Sequence, residues 1–177
     1  MTDKPALILV DLQDWIVKRP VTPLTGADVV RSAARLKTAF EAAGLPVVLV
    51  RYARMDGSDG GPDSPFNRFP AAVGARPGNE VVTKYGIDAF AGTDLADRLH
   101  RLGATSLVFG GIATEYGVGE TVRTAVALGY PATVVEDAVS ALSAPGHTAA
   151  LAAFQRLGVT VTRTDACITA MAAPQGA

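Results

Sequence analysis

The sequence has few of the residues that build disulfide frameworks and metal centres. It contains one cysteine, Cys167, and two histidines, His100 and His147, among 177 residues. A single cysteine excludes an intrachain disulfide, which fits a reducing compartment. The two histidines fall on separate predicted helices, so they do not form the closely spaced cluster that a metal site needs. We therefore expect no catalytic metal and no cofactor.

Excess charge of one sign and long apolar segments are also missing. The 16 basic residues are balanced by 17 acidic ones, for a net charge of −1. This balance provides no electrostatic reason to expect a nucleic acid or an anionic membrane as partner. The first apolar run, residues 6–10, is far shorter than the about 20 residues of a membrane span, and it lacks the features of a secretory signal. We expect a cytoplasmic protein that acts on a small-molecule substrate.

Apolar residues are abundant, at 49% of the chain against 19% charged residues, which is a globular composition. The length suits a single domain over residues 1–177. Short β-branched runs alternate with Ala/Leu/Arg-rich stretches, as in a parallel sheet covered by helices. The predicted strands are Ala6–Val10, Pro46–Arg51, Val81–Thr83, Thr105–Phe109, Ala132–Val135 and Val159–Thr162. The predicted helices are Asp28–Ala43, Asp94–Leu102, Tyr116–Leu128 and Pro145–Leu157, with a short last helix near Cys167.

This alternation predicts an α/β fold of three layers, α/β/α and Rossmann-like, with a six-stranded parallel sheet. The order that we expect for its strands is 3-2-1-4-5-6, the order of the classic Rossmann-like winding. The segment Tyr52–Asn79 interrupts the rhythm, because glycine and proline recur throughout it. A long loop on a rigid sheet usually shapes a binding site, and the alternative is a mobile surface loop. The tail after Ala172 is expected to fray.

Candidate functional residues stand at the predicted strand ends, where open parallel sheets bind their ligands. Asp11 follows the first strand, Lys84 follows the third, and Gly110–Gly117 leads from the fourth strand into a helix. Neighbouring strands are about 4.8 Å apart, so a lysine side chain could reach Asp11. Backbone N–H groups at the helix start could hold an anion or an oxyanion. Alone, each feature has a simpler explanation, as a loop cap, a solvated lysine or a tight turn; together they favour one shared site.

Three segments resemble the isochorismatase-like hydrolase superfamily. The family's opening strand, with a D-x-Q motif that supplies a catalytic Asp, is similar to residues 6–15, ALILVDLQDW. Its lysine segment is similar to residues 81–95, VVTKYGIDAFAGTDL. Its nucleophile segment is similar to residues 110–138, GGIATEYGVGETVRTAVALGYPATVVEDA. The three motifs keep the family's order and spacing over most of the chain.

The resemblance implies that Asp11 and Lys84 are two members of the family's Asp-Lys-Cys triad and that Gly117 occupies the position of the nucleophilic cysteine. It also implies a non-proline cis peptide between Ile112 and Ala113, which would orient the N–H groups of residues 113 and 117 as an oxyanion hole.

Two departures from the family pattern bear on the site. Asp88 replaces the serine of the family's S-A-F motif, so a carboxylate either joins the site or turns outward. The metal-binding D-x-H motif of nicotinamidases is absent, which weighs against a nicotinamidase.

Further residues near these motifs are expected to bind substrate. Arg51, with Arg54 and Arg68, could hold a substrate carboxylate through bidentate hydrogen bonds, although a solvated loop surface is the alternative. The expected substrate-binding residues are Gln13, Trp15, Arg51, Phe90, Ile112, Ala113 and Tyr116.

A glycine at position 117 cannot form the acyl-enzyme of the family's amidases. Cys167, beyond the sixth strand, is expected to be structural. Isochorismatases of the superfamily can lack the cysteine, so the resemblance implies a metal-free hydrolase of a small, anionic molecule by Asp/Lys acid–base catalysis. Vinyl ether hydrolysis of an isochorismate-like compound is the sharpest form, and Gly117 would then leave space for substrate or water.

Two alternatives stay open: an amide or imide hydrolase in which Asp11 activates water, and a pseudo-enzyme that only binds a ligand. Burial would favour the protonated Asp11 that an acid needs, and Lys84 would oppose it. Because superfamily members commonly self-associate, a homo-oligomer is expected.

Overall fold

The structure of the protein, a computed structural model, describes residues 3–172. Each of the six predicted apolar runs forms one strand. The strands are β1 (Pro5–Val10), β2 (Val47–Tyr52), β3 (Glu80–Lys84), β4 (Ser106–Ile112), β5 (Ala132–Ser140) and β6 (Thr160–Thr162). The tail that was expected to fray, residues 173–177, lies outside the described residues.

All six strands run parallel in one sheet with the order β3-β2-β1-β4-β5-β6. The predicted order is therefore confirmed. The chain winds from β1 toward one edge and, after crossing to β4, toward the other, so the winding direction reverses between β1 and β4. At the carboxyl end of this pair Val10 lies opposite Gly111. A crevice at such a reversal is the usual ligand site of this architecture.

Helices cover both faces of the sheet, which makes the three predicted layers. The apolar sides of α3, α4 and α5 pack with Phe109 in one buried cluster, and those of α1, α2 and α6 pack with Leu49 in another. None of the described helices is long and apolar enough to cross a membrane. The helices are α1 (Asp14–Val17), α2 (Gly26–Ala42), α3 (Leu95–Leu102), α4 (Gly117–Ala127), α5 (Ala144–Arg156) and α6 (Thr164–Ala172).

The boundaries of α2 and β5 differ from the prediction for identifiable reasons. Helix α2 begins before Asp28, because Thr25 caps it: the Thr25 hydroxyl accepts from the Asp28 N–H at 3.2 Å, and the Asp28 carboxylate accepts from the Thr25 N–H at 3.3 Å. Strand β5 continues beyond Val135, its predicted end, through Glu136 and Asp137 to Ser140. A register irregularity in the β4–β5 ladder lets the strand continue past these two acids.

Gly111 allows β4 to approach β1 closely at the crevice. Its φ is +135°, and a Cβ built on it would lie 2.1 Å from the carbonyl oxygen of Val10. Only glycine fits such a contact, so this residue lets the two central strands end side by side.

The long segment between β2 and β3 is tied to the residues that follow β1. It contains one short 3-10 helix, Pro65–Asn67, whose last side chain is buried. The Asn67 amide nitrogen donates to Asp59 Oδ2 at 2.8 Å and to the Gly61 carbonyl at 3.0 Å. Asn67 Oδ1 accepts from Gln13 Nε2 at 3.0 Å and from Trp15 Nε1 at 3.2 Å. The loop therefore supports the site wall through Asn67.

Candidate active site

A cavity of about 270 Å³ opens at the carboxyl ends of β1 and β4. It is lined by Asp11, Trp15, Ile16, Arg19, Tyr52, Lys84, Gly86, Ile87, Ile112, Ala113, Tyr116, Gly117 and Leu142. A larger hollow of about 480 Å³ lies beside α6 and the beginning of β1, but Asp3 is the only charged residue in its lining. Of these two cavities, the smaller one combines a carboxylate with an ammonium group, so it is the candidate active site.

The cavity contains a buried ion pair. Lys84 Nζ lies 2.8 Å from Asp11 Oδ2, and the lysine side chain is only 2% exposed. The same ammonium donates to the carbonyl oxygens of Gly86 at 3.2 Å and Ile87 at 2.7 Å. A lysine ammonium has three N–H donors, and these three contacts use all of them. Lys84 therefore holds Asp11 in place and has no donor left for a substrate.

The two oxygens of Asp11 have different surroundings. Oδ2 accepts from Lys84, whereas Oδ1 is buried and has no hydrogen-bond partner among the described residues. Burial raises the pKa of the Asp11 carboxyl to about 6, and the Lys84 charge and hydrogen bond oppose this rise. Oδ1 is thus the atom that can hold a transferable proton near neutral pH.

Asp11 also has a backbone conformation that the sequence did not reveal. Its φ is +54°, in the left-handed region, and it is the one described non-glycine residue with a positive φ. Such conformations concentrate at functional sites, and Asp and Asn tolerate them better than other side chains do. The turn directs the carboxyl into the cavity immediately after β1.

Gly117 makes room for the ion pair itself. A Cβ built on Gly117 would lie 2.7 Å from Asp11 Oδ2 and 3.2 Å from Lys84 Nζ. The sequence suggested that the glycine leaves space for substrate or water, but the Asp11 carboxylate fills the position where a side chain would begin. A residue larger than glycine would have to displace this carboxylate.

The turn between β4 and α4 carries the expected amide groups. The peptide bond between Ile112 and Ala113 is cis. The Ala113 carbonyl accepts from the N–H groups of Tyr116 at 3.1 Å and Val118 at 3.2 Å, which closes the turn. The N–H groups of Ala113 and Gly117 donate to no acceptor within residues 3–172, and both residues line the cavity.

Seven of the ten site residues expected from the sequence line the cavity: Asp11, Trp15, Lys84, Ile112, Ala113, Tyr116 and Gly117. Trp15 stacks on Phe66 with ring centroids 5.4 Å apart, and Tyr116 is 52% exposed at the rim. The other three, Gln13, Arg51 and Phe90, are not in the lining, and their side chains contact other parts of the protein instead.

Gln13 is fully buried and its amide is used within the protein. Its Oε1 accepts from the Tyr52 N–H at 2.9 Å, and its Nε2 donates to the Tyr52 carbonyl at 2.6 Å and to Asn67. The side chain thus pairs with the end of β2 as a neighbouring strand would. Its role is to position Tyr52 and Asn67 behind the cavity wall.

Arg51 and Phe90 are directed elsewhere by their local structure. Successive strand residues point to opposite faces, so Tyr52 reaches the cavity and Arg51 does not. Arg51 donates to Thr83 Oγ1 at 2.9 Å and pairs with Asp63 at 2.9 Å. Phe90 packs against the core beneath α3 and α4.

Two further residues singled out in the sequence lie away from the reacting groups. Asp88 turns from the cavity: its carboxylate accepts from the Phe90 N–H at 2.9 Å and the Thr124 hydroxyl at 2.8 Å. Cys167 is buried in α6, where burial raises the pKa of its thiol. Within residues 3–172, no group of three or more His, Cys, Asp or Glu side chains is placed to share a metal ion.

Sequence reasoning missed six residues of the lining: Ile16, Arg19, Tyr52, Gly86, Ile87 and Leu142. Ile16 and Arg19 follow the first motif by a few residues, and Gly86 and Ile87 follow Lys84 directly, so proximity to the motifs was an available signal. Leu142 had none, because the irregularity in β5 and the chain's return beside Thr22 bring it to the rim.

An all-parallel sheet with helices on both faces and a buried carboxylate–ammonium pair at its winding reversal is an α/β fold of the Rossmann-like class. Residues 5–166 match the isochorismatase domain. The chain is 38% identical over 155 residues to the isochorismatase family protein YecD of Escherichia coli O157:H7, covering 80% of this chain and 82% of the relative. The chain belongs to the isochorismatase family, and it is a hydrolase of that family.

Solved structures agree with this assignment. An isochorismatase family protein from Burkholderia thailandensis matches with a TM-score of 0.89 at 37% identity, covering 98% of each chain. N-carbamoylsarcosine amidase from Thermoplasma acidophilum matches with a TM-score of 0.80 at 27% identity, covering 92% of this chain and 97% of that chain.

Proposed function

We propose that this chain hydrolyses a small, anionic molecule by proton transfer through Asp11, without a nucleophilic side chain at position 117. The observation that supports this most is the state of the Asp11 carboxyl. Lys84 holds one oxygen, the other is buried without a partner, and the pKa is raised to about 6. Proton transfer by a positioned group typically contributes about 10²–10⁴-fold to a rate.

Hydrolysis of a vinyl ether is the sharpest form of this proposal. The proton on Asp11 Oδ1 is transferred to the terminal carbon of the C=C bond, and the ether-bearing carbon becomes an oxocarbenium ion. Water adds to that carbon and returns one proton to Asp11. The resulting hemiketal collapses to a ketone and an alcohol. No step requires a side chain at Gly117, and Lys84 keeps the carboxyl in position throughout.

Amide hydrolysis is the second candidate, and the similarity to N-carbamoylsarcosine amidase favours it. Here ionised Asp11 accepts a proton from water as the water oxygen attacks the carbonyl carbon. The N–H groups of Ala113 and Gly117 stabilise the oxyanion. The carbon–nitrogen bond then breaks, and the amine leaves with the proton from Asp11.

Isotope labelling separates the two reactions. Isochorismate and N-carbamoylsarcosine are each incubated with the protein in D₂O. Vinyl ether hydrolysis places one deuterium on the former terminal alkene carbon of the ketone product, whereas hydrolysis of the carbamoyl group places no deuterium on carbon and releases ammonia and carbon dioxide.

The matched variants are Asp11→Asn, which keeps the shape of the side chain, and Asp14→Asn, which removes a carboxylate of α1 that lies outside the cavity lining. Loss of turnover in the first variant alone is expected. Full activity of Asp11→Asn would refute the proposed role, and ligand binding without turnover of any substrate would favour the pseudo-enzyme.

A further inference from the structure

The charged side chains on the cavity wall differ in whether they have a partner within the protein. Three charged residues line it, Asp11, Lys84 and Arg19. The first two pair with each other, and the donors of Lys84 are fully occupied. Within the part of the chain that the structure describes, Arg19 forms no ion pair. Its guanidinium is therefore the cation of this wall that remains available to a ligand.

The backbone around Arg19 is held in place from both sides. Its N–H donates to the Ile16 carbonyl at 3.0 Å, which closes the turn after α1. Three residues later, Thr22 and Ala141 exchange two backbone hydrogen bonds of 2.9 Å in an isolated antiparallel bridge. This bridge joins the segment of Arg19 to that of Leu142, which also lines the cavity. A cation on a fixed backbone binds an anion with less loss of entropy than one on a free loop.

The rest of the lining is mostly apolar or aromatic: Trp15, Ile16, Tyr52, Ile87, Ile112, Tyr116 and Leu142. These side chains suit the uncharged body of a small ligand. An ionised Asp11 repels an anionic group placed beside it, and Lys84 has no donor to offer such a group. An anionic end is therefore favoured at the Arg19 side, with the body of the ligand between Arg19 and Asp11.

We propose that Arg19 binds a carboxylate of the substrate and is the residue through which this cavity selects anionic over neutral ligands. A guanidinium presents paired N–H donors that match a carboxylate in a bidentate contact. The inference rests on the proposed function in one respect, that this cavity is where substrate binds. It differs from the sequence-based expectation, which named Arg51, Arg54 and Arg68 as candidates for carboxylate binding.

Trp15 makes the proposal testable without a known substrate, because it is the only tryptophan of the chain and lines the cavity. Its fluorescence is titrated with benzoate and with the neutral isostere benzamide in the wild type, Arg19→Gln and Lys18→Gln. The last variant removes the same charge from the adjacent residue, which is not in the lining. Calorimetric titration checks each dissociation constant.

Benzoate is expected to bind the wild type more tightly than benzamide does, and Arg19→Gln is expected to raise the benzoate Kd by roughly tenfold while leaving benzamide unchanged. Lys18→Gln is expected to change neither ligand appreciably. The proposal would be overturned if both variants weakened benzoate binding equally, or if Arg19→Gln weakened benzamide binding as much as benzoate binding. It would also be overturned if benzoate did not bind the wild type.

Failure of the proposed function is recognised separately. Asp11→Asn is expected to abolish turnover and to keep benzoate binding. If Asp11→Asn remained active while Arg19→Gln still weakened the binding of benzoate but not of benzamide, the proposed role of Asp11 would be wrong. The anion site at Arg19 would still be supported.

Discussion

The pH dependence of turnover distinguishes the two roles that Asp11 can have. Burial raises the pKa of its carboxyl to about 6 despite the opposing Lys84 charge. If Asp11 is the acid of vinyl ether hydrolysis, kcat is constant below that pH and falls about tenfold per pH unit above it. If Asp11 is the base of amide hydrolysis, kcat instead rises through the same range.

The size of the effect follows from the fraction of protonated carboxyl. At about pH 8 only about 1% of a group with a pKa of about 6 carries its proton, so acid catalysis predicts kcat about a hundredfold below its plateau. Lys84→Met removes the charge and hydrogen bond that lower the pKa, so the falling limb moves to higher pH.

Initial rates at saturating substrate and constant ionic strength, measured for the wild type and Lys84→Met, provide the two profiles. Carbon NMR of the Asp11 carboxyl measures the same pKa without turnover. A falling limb that Lys84→Met leaves in place, or an Asp11 pKa near 4 by NMR, would refute the reasoning.

Three other measurements test the structure of the site. Because the folded pKa of Asp11 lies above its reference value of 3.8, the protonated carboxyl favours the native state, and this contribution is complete below about pH 3.8 and lost as the pH rises through about 6. Urea unfolding should show the wild type losing about 3 kcal/mol relative to Asp11→Asn across that window; a constant difference would contradict this. Gly117→Ala should lower kcat at least about tenfold and destabilise the protein by about 1–3 kcal/mol, because the new Cβ displaces the Asp11 carboxylate. Gly74→Ala should change neither quantity, because no atom lies closer than 3.6 Å to a Cβ at that position. A fully active Gly117→Ala variant would disprove the contact. Asn67→Ala should cost about 1–3 kcal/mol by urea unfolding and shift the fluorescence of Trp15, because it removes the oxygen that accepts from Gln13 Nε2 and Trp15 Nε1. An unchanged spectrum would exclude the support role.

Much of the fold was predictable because strands of a parallel sheet covered on both faces are apolar throughout. The runs at residues 6–10 and 47–50 are such segments, and both are buried. Element boundaries were less predictable where a polar pair lies inside a strand. The predicted strand ended at Val135, before Glu136 and Asp137, yet the pairing of β5 with β4 resumes beyond these two acids.

Within the site, the motifs located the groups but not their directions. Asp11, Lys84 and Gly117 follow strands whose ends meet at one edge, and the structure brings them together. Gln13 and Arg51 also lie near strand ends, but strand alternation and local hydrogen bonds turn both from the cavity. A sequence motif therefore locates a polar side chain but does not predict which neighbouring residue its polar atoms contact.

The amino-acid sequence by itself determined the layer architecture and the segments that supply the reactive groups, because apolar periodicity acts through local rules. Only the tertiary structure decided that all three N–H donors of Lys84 contact acceptors within the protein, that the Asp11 carboxylate fills the space beside Gly117, and that Arg19 reaches the cavity. These depend on which atoms from distant segments meet in a dense interior, and a linear pattern does not encode such contacts one by one.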